Sequence, residues 1–157
     1  MAMTSETKRF IEFRLQDKNF AVPLSQVQEV IRPPETTPIP KAPEHFRGVT
    51  NLRGQVISIV KISKKLGLKD LSEENHSAVI ILDLDHVKIG IEVDDIVRVF
   101  DVNSKEFEQM GSPKELEKSH PFIESVINRE NETLLLVLDI FKALDVEELK
   151  LLNQSAA

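Results

Sequence analysis

Five carboxylates crowd between residues 83 and 95: Asp83, Asp85, Glu92, Asp94 and Asp95. Paired carboxylates can pass protons or hold Mg²⁺. Here, however, Asp85-His86 reads as a tight turn and Asp94-Asp95 as another. Acids are common in turns because they bond their own backbone. Four histidines, His45, His76, His86 and His120, are scattered through expected loops and turns. Three could meet on a metal, since such sites assemble from distant segments, but a surface role is the simpler reading. There is no cysteine, which removes a Cys nucleophile, a disulfide and any Cys-based metal site. Gly48 and Gly54 flank "VTNLR" with no Lys-Ser/Thr after them to hold phosphate and magnesium. The patterns G-x-S-x-G, H-E-x-x-H and G-x-G-x-x-G are missing too. The expectation is no catalytic residue, no cofactor and no metal; a Mg²⁺-dependent carboxylate enzyme is the weaker alternative.

Arg53 poses a different question. It stands in "GVTNLRGQVISIV", residues 48–60, an otherwise apolar stretch that reads as a buried strand. A guanidinium keeps its charge and is rarely buried unpaired. Two readings stay open from the residues alone. Arg53 is a strand-end side chain reaching water beside a turn glycine, or it faces a partner, since arginine is enriched in interface hot spots. Glu29, the only acid in "PLSQVQEVIR", is a candidate partner within the chain. Val27, Val30 and Val99 raise a related choice between core and interface, which periodicity does not decide.

These residues need elements to hold them. "RFIEFRL" alternates, with Ile11, Phe13 and Leu15 on one face and Glu12 and Arg14 on the other, the period of a half-buried strand. Gln16–Asn19 reads as a turn, and Phe20–Val22 returns as a hairpin. "PLSQVQEVI" begins as a short helix and ends as a strand. Residues 32–43 hold five of the eight prolines and form a stiff connector rather than a central strand. "PEHFRG" could form one helical turn, residues 49–60 are strand material, and "KISKKLG" is a short helix ended by Gly67. Beyond a polar loop at 68–76, "SAVIILDL", "VKIGIEV" and "DIVRVFDV" are strands. After an irregular stretch, 103–120, "PFIESVINRENETLLLVLDI" is a hairpin turning near Arg129–Asn131. "DIFKALDVEELKLL" is a terminal helix with Phe141, Leu144 and Leu149 on one stripe.

Eight to ten short strands, mostly in hairpins, predict antiparallel pairing. Strand groups before and after 68–76 suggest two small barrels or sheets packed together, which limits exposed edges. The chain has 157 residues and 41% hydrophobic content, one domain by length. Net charge is −6, and Lys61, Lys64 and Lys65 are too small a basic cluster for nucleic acid. The N-terminus has no apolar signal region. The apolar runs are strand length, too short to cross a membrane as a helix.

At "VQEVIR" (27–32), "PIPKAP" (38–43) and "FRGVTNLRG" (46–54) the chain resembles the CheW family of bacterial chemotaxis coupling proteins. "AVIILDLDHVKIGIEVD" (78–94) and "LLLVLDIFKAL" (134–144) extend the resemblance over about residues 8 to 153. It implies an all-β fold of two five-stranded β-barrel subdomains packed together, with short helices and a C-terminal helix. The expected arrangement is a single CheW-like domain over 1–157, with one subdomain near 15–67 plus the chain ends and another near 76–138. The resemblance also implies a non-enzymatic cytoplasmic adaptor. Such a protein joins the tips of methyl-accepting chemoreceptors to the regulatory domain of the histidine kinase CheA and helps build signalling arrays. The adaptor half of a CheV-like protein is the alternative within the family. Carried over by position, Val27, Glu29 and Val30 belong to the coupling surface, Arg53 is the functionally sensitive arginine, Gly48 precedes the motif strand and Gly90 lies in "IGI" of the second subdomain. Val99 lines a groove that takes the receptor's helical hairpin, and laying an apolar helix stripe into a groove is a standard recognition mode. Ser58 stands where the family usually has proline, and Lys61 where it has aspartate.

Overall fold

The computed structural model describes residues 7–68, 77–103, 122–128 and 134–144. Alternating residues produce the first hairpin, β1 (Thr7–Leu15) and β2 (Lys18–Pro23), paired from Phe10 opposite Pro23 to Leu15 opposite Lys18. A single 3-10 turn, Leu24–Gln26, leads into β3 (Val27–Ile31), as the pattern of "PLSQVQEVI" predicts. β4 (Phe46–Leu52) and β5 (Gln55–Val60) follow the proline connector, then α1 (Ile62–Lys65). Residues 43–45 form a turn closed by Phe46 N–H on the Pro43 carbonyl at 3.0 Å, and the strand begins where helix was expected. Strands β6 (Ala78–Leu84), β7 (Val87–Val93), β8 (Asp95–Asn103), β9 (Ile123–Asn128) and β10 (Leu134–Leu138) precede α2 (Ile140–Ala143). The turn of the last hairpin, and the helix beyond residue 144, lie outside the described residues.

The strands form two five-stranded sheets, ordered β8-β1-β2-β10-β9 and β3-β6-β7-β5-β4. Hairpin neighbours are antiparallel, but each sheet contains a parallel seam, β10 on β2 and β5 on β7. Parallel seams need a crossover, and one of them passes through α1 and the 68–76 segment. That corrects the expected division. The loop at 68–76 separates no sheets, because β5 and β6 belong to the same one. The first compact unit ends at Ser25 and resumes at Ile96–Ala143; the second contains Gln26–Asp95. Local pattern shows where strands and turns fall, whereas which strands become neighbours depends on contacts far apart in sequence.

The sheets are less closed than barrels. In the second, β3 and β4 are the end strands of the order. The proline connector returns along the outer edge of β4, where Thr37 and Val49 exchange N–H···O bonds of 2.8 and 2.9 Å. The connector thereby covers an edge that would otherwise invite another strand.

Each unit has its own apolar cluster. In the first, Phe10, Ala21, Val102, Ile127, Leu135 and Val137 pack together with Phe100 against them. In the second, Ile57, Ile59, Val79 and Ile81 do so, with Ile31 and Leu52 at the margin. β1 departs from simple alternation. Ile11, Phe13 and Leu15 are buried as expected, but so are Phe10 and Glu12 on the other face, because that face carries the first cluster.

Candidate partner-binding site

The stretch at 48–60 is a hairpin, not one buried strand. Leu52 pairs with Gln55, leaving a two-residue loop of Arg53 and Gly54 with φ of 51° and 84°. Two left-handed residues in that position give the turn whose twist suits a hairpin. Glycine adopts it without strain, and Asn51 Oδ1 accepts from the Gly54 N–H at 2.9 Å. The turn carries Arg53 out of the sheet, with its side chain 69% exposed.

Arg53 reaches the carboxylate of Glu29 as a fork, Nη1 to Oε1 at 2.6 Å and Nη2 to Oε2 at 2.8 Å. This is the intrachain partner suggested by the sequence. Hydrogen bonding from Arg53 holds the Glu29 carboxyl below its ordinary value; partial desolvation opposes the shift, while Lys88 and Gln28 assist it. Glu29 in turn raises the Arg53 value further. Lys88 stands close by, its Nζ donating to Gln55 Oε1 at 2.8 Å. The fork leaves the guanidinium pre-oriented while most of its surface stays open to solvent.

Val27 and Val30 flank Glu29 on β3, but a register irregularity changes their geometry. Val27 stands opposite Leu82 and Val30 opposite Ile80, residues on one face of β6, whereas Glu29 stands opposite Ile81 on the other. Simple alternation would have put Val27 and Glu29 on the same side. Val30 is 43% exposed; Val27 is half-buried.

Gly48 and Gly90 are positions where the fold has no room for a side chain. Both are buried. A Cβ on Gly48 would sit 2.6 Å from the Thr37 carbonyl oxygen, and one on Gly90 would sit 2.6 Å from Ile59 Cδ1 and 2.7 Å from Val79 Cγ1. The first glycine lets the connector approach β4, and the second lets β6 and β5 side chains meet over β7. Neither offers a side chain to a partner.

Val99 belongs to the other sheet, on end strand β8, and is 52% exposed. The structure thus joins Glu29 to Arg53 and places Val27 and Val30 on the strand that carries Glu29.

The carboxylates near 83–95 do not assemble. Asp85 and His86 form a two-residue turn with φ of 51° and 70°. Glu92 is taken by Arg47, Nε to Oε1 at 2.6 Å and Nη2 to Oε2 at 3.0 Å. Among the described residues no group of three His, Cys, Asp or Glu could hold a metal ion. Within the same residues no helix is long and apolar enough to cross a membrane. Sequence reasoning missed two features: the Arg47–Glu92 pair, and the Glu12–Arg98 pair in the first sheet, with Nε to Oε1 at 3.2 Å. An acid within an alternating strand was the available signal for Glu12, but it was assigned to the solvent side.

Two five-stranded sheets with an oriented surface arginine and exposed valines define the class: an all-β binding module. The family model described as a CheW-like domain matches residues 9–148, and the chain belongs to that family of non-enzymatic chemotaxis adaptors. It is 29% identical to the "Chemotaxis protein CheW" of Treponema pallidum over 96% of this chain and 89% of that protein. To the protein of the same description from Bacillus subtilis it is 29% identical over 92% of this chain and 94% of that one. The fold is similar to the crystal structure of scaffolding protein TtCheW from Thermoanaerobacter tengcongensis, with a TM-score of 0.76 and 22% identity, covering 85% of this chain and 90% of that one.

Proposed function

We propose that this chain bridges the cytoplasmic tips of methyl-accepting chemoreceptors and the regulatory domain of the histidine kinase CheA, through surfaces that include Arg53, Glu29, Val27, Val30 and Val99. The observation that carries this reading is the Arg53–Glu29 fork. A surface ion pair of long side chains adds little to stability, so a two-point clamp on a tight turn is better explained by presentation than by folding. Clamping spends no ordering entropy at the moment of binding, and that favours affinity. Val30, exposed on the other face of the strand that carries Glu29, supplies a separate apolar contact. Gly48 and Gly90 act indirectly, by letting the sheet that holds the clamp form. The working location is the cytoplasm, at the receptor array.

The test is titration of the full chain with a receptor-tip fragment and, separately, with a kinase regulatory domain. Binding to both, with receptor and kinase able to bind at once, is the expected result. Binding to neither overturns the reading.

A further inference from the structure

We propose that Gln55 is a specificity-determining contact residue beside Arg53: Lys88 orients its side-chain amide so that the NH₂ group faces outward, and Gln55 and Arg53 together take a carboxylate side chain of the partner. The proposal rests on the adaptor reading above, in which Arg53 meets a partner.

Gln55 follows the Arg53-Gly54 loop and opens β5. Glu29, Lys88 and Gln55 share one face of the second sheet. Ile81 stands opposite both Glu29 on β3 and Gly90 on β7, and directly opposed residues share a face. Lys88, next but one to Gly90, shares it by alternation. Ile59 pairs with Gly90 and its side chain lies over that glycine, and Gln55 alternates onto the same side of β5. Arg53 joins them from the loop through its fork to Glu29.

The bonds among these groups engage the acceptors and leave donors over. Each Glu29 oxygen accepts from Arg53. Gln55 Oε1 accepts from Lys88 Nζ at 2.8 Å. An ammonium can only donate, so the amide oxygen must face Lys88 and the amide nitrogen must face away. Gln55 is exposed, which puts its NH₂ group at the surface. A fork likewise leaves a guanidinium with further N–H groups, and the Arg53 side chain is 69% exposed. Donors on two neighbouring residues fit an incoming acceptor. A carboxylate offers two oxygens and makes the stronger, charge-assisted bond to Arg53. Asp83, opposite Lys88, is on β6, across β7 from β5, so it does not stand between Lys88 and Gln55.

The test titrates the full chain with the receptor-tip fragment and the kinase regulatory domain, and Arg53→Glu identifies which of them docks here. Gln55→Glu is the decisive variant. It keeps the shape and an oxygen for Lys88, and it replaces the NH₂ donor with an acceptor. Its urea midpoint is expected to match or exceed that of wild type. The Arg53-docking partner is expected to bind at least about tenfold more weakly, the order of a lost bond to a charged group, while the other partner binds normally. Gln55→Met, which adds no charge, is expected to fall between. The Gln55→Glu loss should shrink as ionic strength rises from about 0.01 to about 0.15 M, because repulsion between carboxylates is screened. Lys88→Met is expected to weaken the same partner about threefold, and less in the Gln55→Met background, where no amide is left to orient.

Unchanged or tighter binding by Gln55→Glu overturns the proposal. So does an equal loss for both partners, a urea midpoint that falls with the affinity, or an Arg53→Glu variant that weakens neither partner. A loss that salt leaves unchanged overturns the carboxylate. An equal Lys88→Met loss in both backgrounds overturns the orienting role of Lys88. A wild-type chain that binds neither partner overturns the adaptor reading and this contact with it, whereas normal wild-type binding with silent Gln55 variants overturns the contact alone.

Discussion

Arg53 on the β4–β5 turn and Glu29 on β3 join opposite ends of one sheet's strand order through two hydrogen bonds of 2.6 and 2.8 Å. The pair spans the gap that would have to close for the sheet to become a barrel. It also fixes the direction in which an exposed guanidinium points. Its consequences for binding and for folding are separable.

Arg53→Glu places two carboxylates where the fork was. Binding to the partner that docks on this surface is expected to fall by at least about tenfold, the order of a hot-spot loss. The fold should persist, because the turn conformation comes from the Arg53-Gly54 backbone and the arginine side chain is exposed. Circular dichroism and titration on the same sample check both halves. Unfolding of this variant would mark Arg53 as structural instead.

The Glu29 carboxyl is expected to titrate below 4.5, the ordinary glutamate value. A carboxyl with a lowered folded value stabilises the native state above its unfolded value, and that contribution is lost as pH falls through the folded one. The clamp is therefore complete at neutral pH and opens only on acidification below about 4.5. Carbon-13 titration of the Glu29 side chain reads this directly, and Arg53→Ala should move the value back upward.

Arg47 and Glu92 behave differently, because their side chains are only 22% and 7% exposed. Removing one partner of a buried pair leaves the other charge uncompensated, which costs about 3–5 kcal/mol. Arg47→Met is expected to lower the urea midpoint clearly, and Arg47→Met/Glu92→Leu to recover much of the loss. A fall in stability no larger than for Arg53→Ala would show that water reaches the pair.

Gly90→Ala is expected to destabilise by about 1–3 kcal/mol, as overpacking does, because the added methyl meets Ile59 and Val79. Gly90→Ala/Ile59→Val removes the Ile59 Cδ1 that the new methyl strikes and should restore part of the loss. Gly48→Ala strikes the Thr37 backbone rather than a side-chain tip, so trimming a neighbour offers it no comparable relief. Denaturant unfolding of the three variants tests the distinction.

Glu124 has a raised carboxyl value, chiefly through desolvation and then through Asp139, with Lys8 and Lys142 opposing. An acid with a raised folded value loses stability as pH climbs from its unfolded value through its folded one. Glu124→Gln should therefore raise the melting temperature at pH 7 and leave it nearly unchanged at pH 4. An equal shift at both would assign the effect to packing.

Much of this protein is local, and the sequence by itself determined that part. Alternation in "RFIEFRL", the turn residues Asp85-His86 and the prolines of 32–43 each act within a few residues, so strands, hairpins and connector follow from neighbouring chemistry. The absence of catalytic motifs and the shared motif "FRGVTNLRG" pointed to an adaptor, and Glu29 was identifiable as the nearby acid for Arg53. Tertiary structure decided what depends on residues distant in sequence. It set β5 beside β7, moved the division between sheets away from 68–76, and turned the apolar run at 48–60 back on itself at Arg53-Gly54. It turned Val27 and Glu29 to opposite faces through a register shift, and it buried Glu12, which alternation had assigned to water. In each case a local pattern fixes how a residue alternates with its neighbours, while the strand placed beside it, often tens of residues away, fixes what it faces.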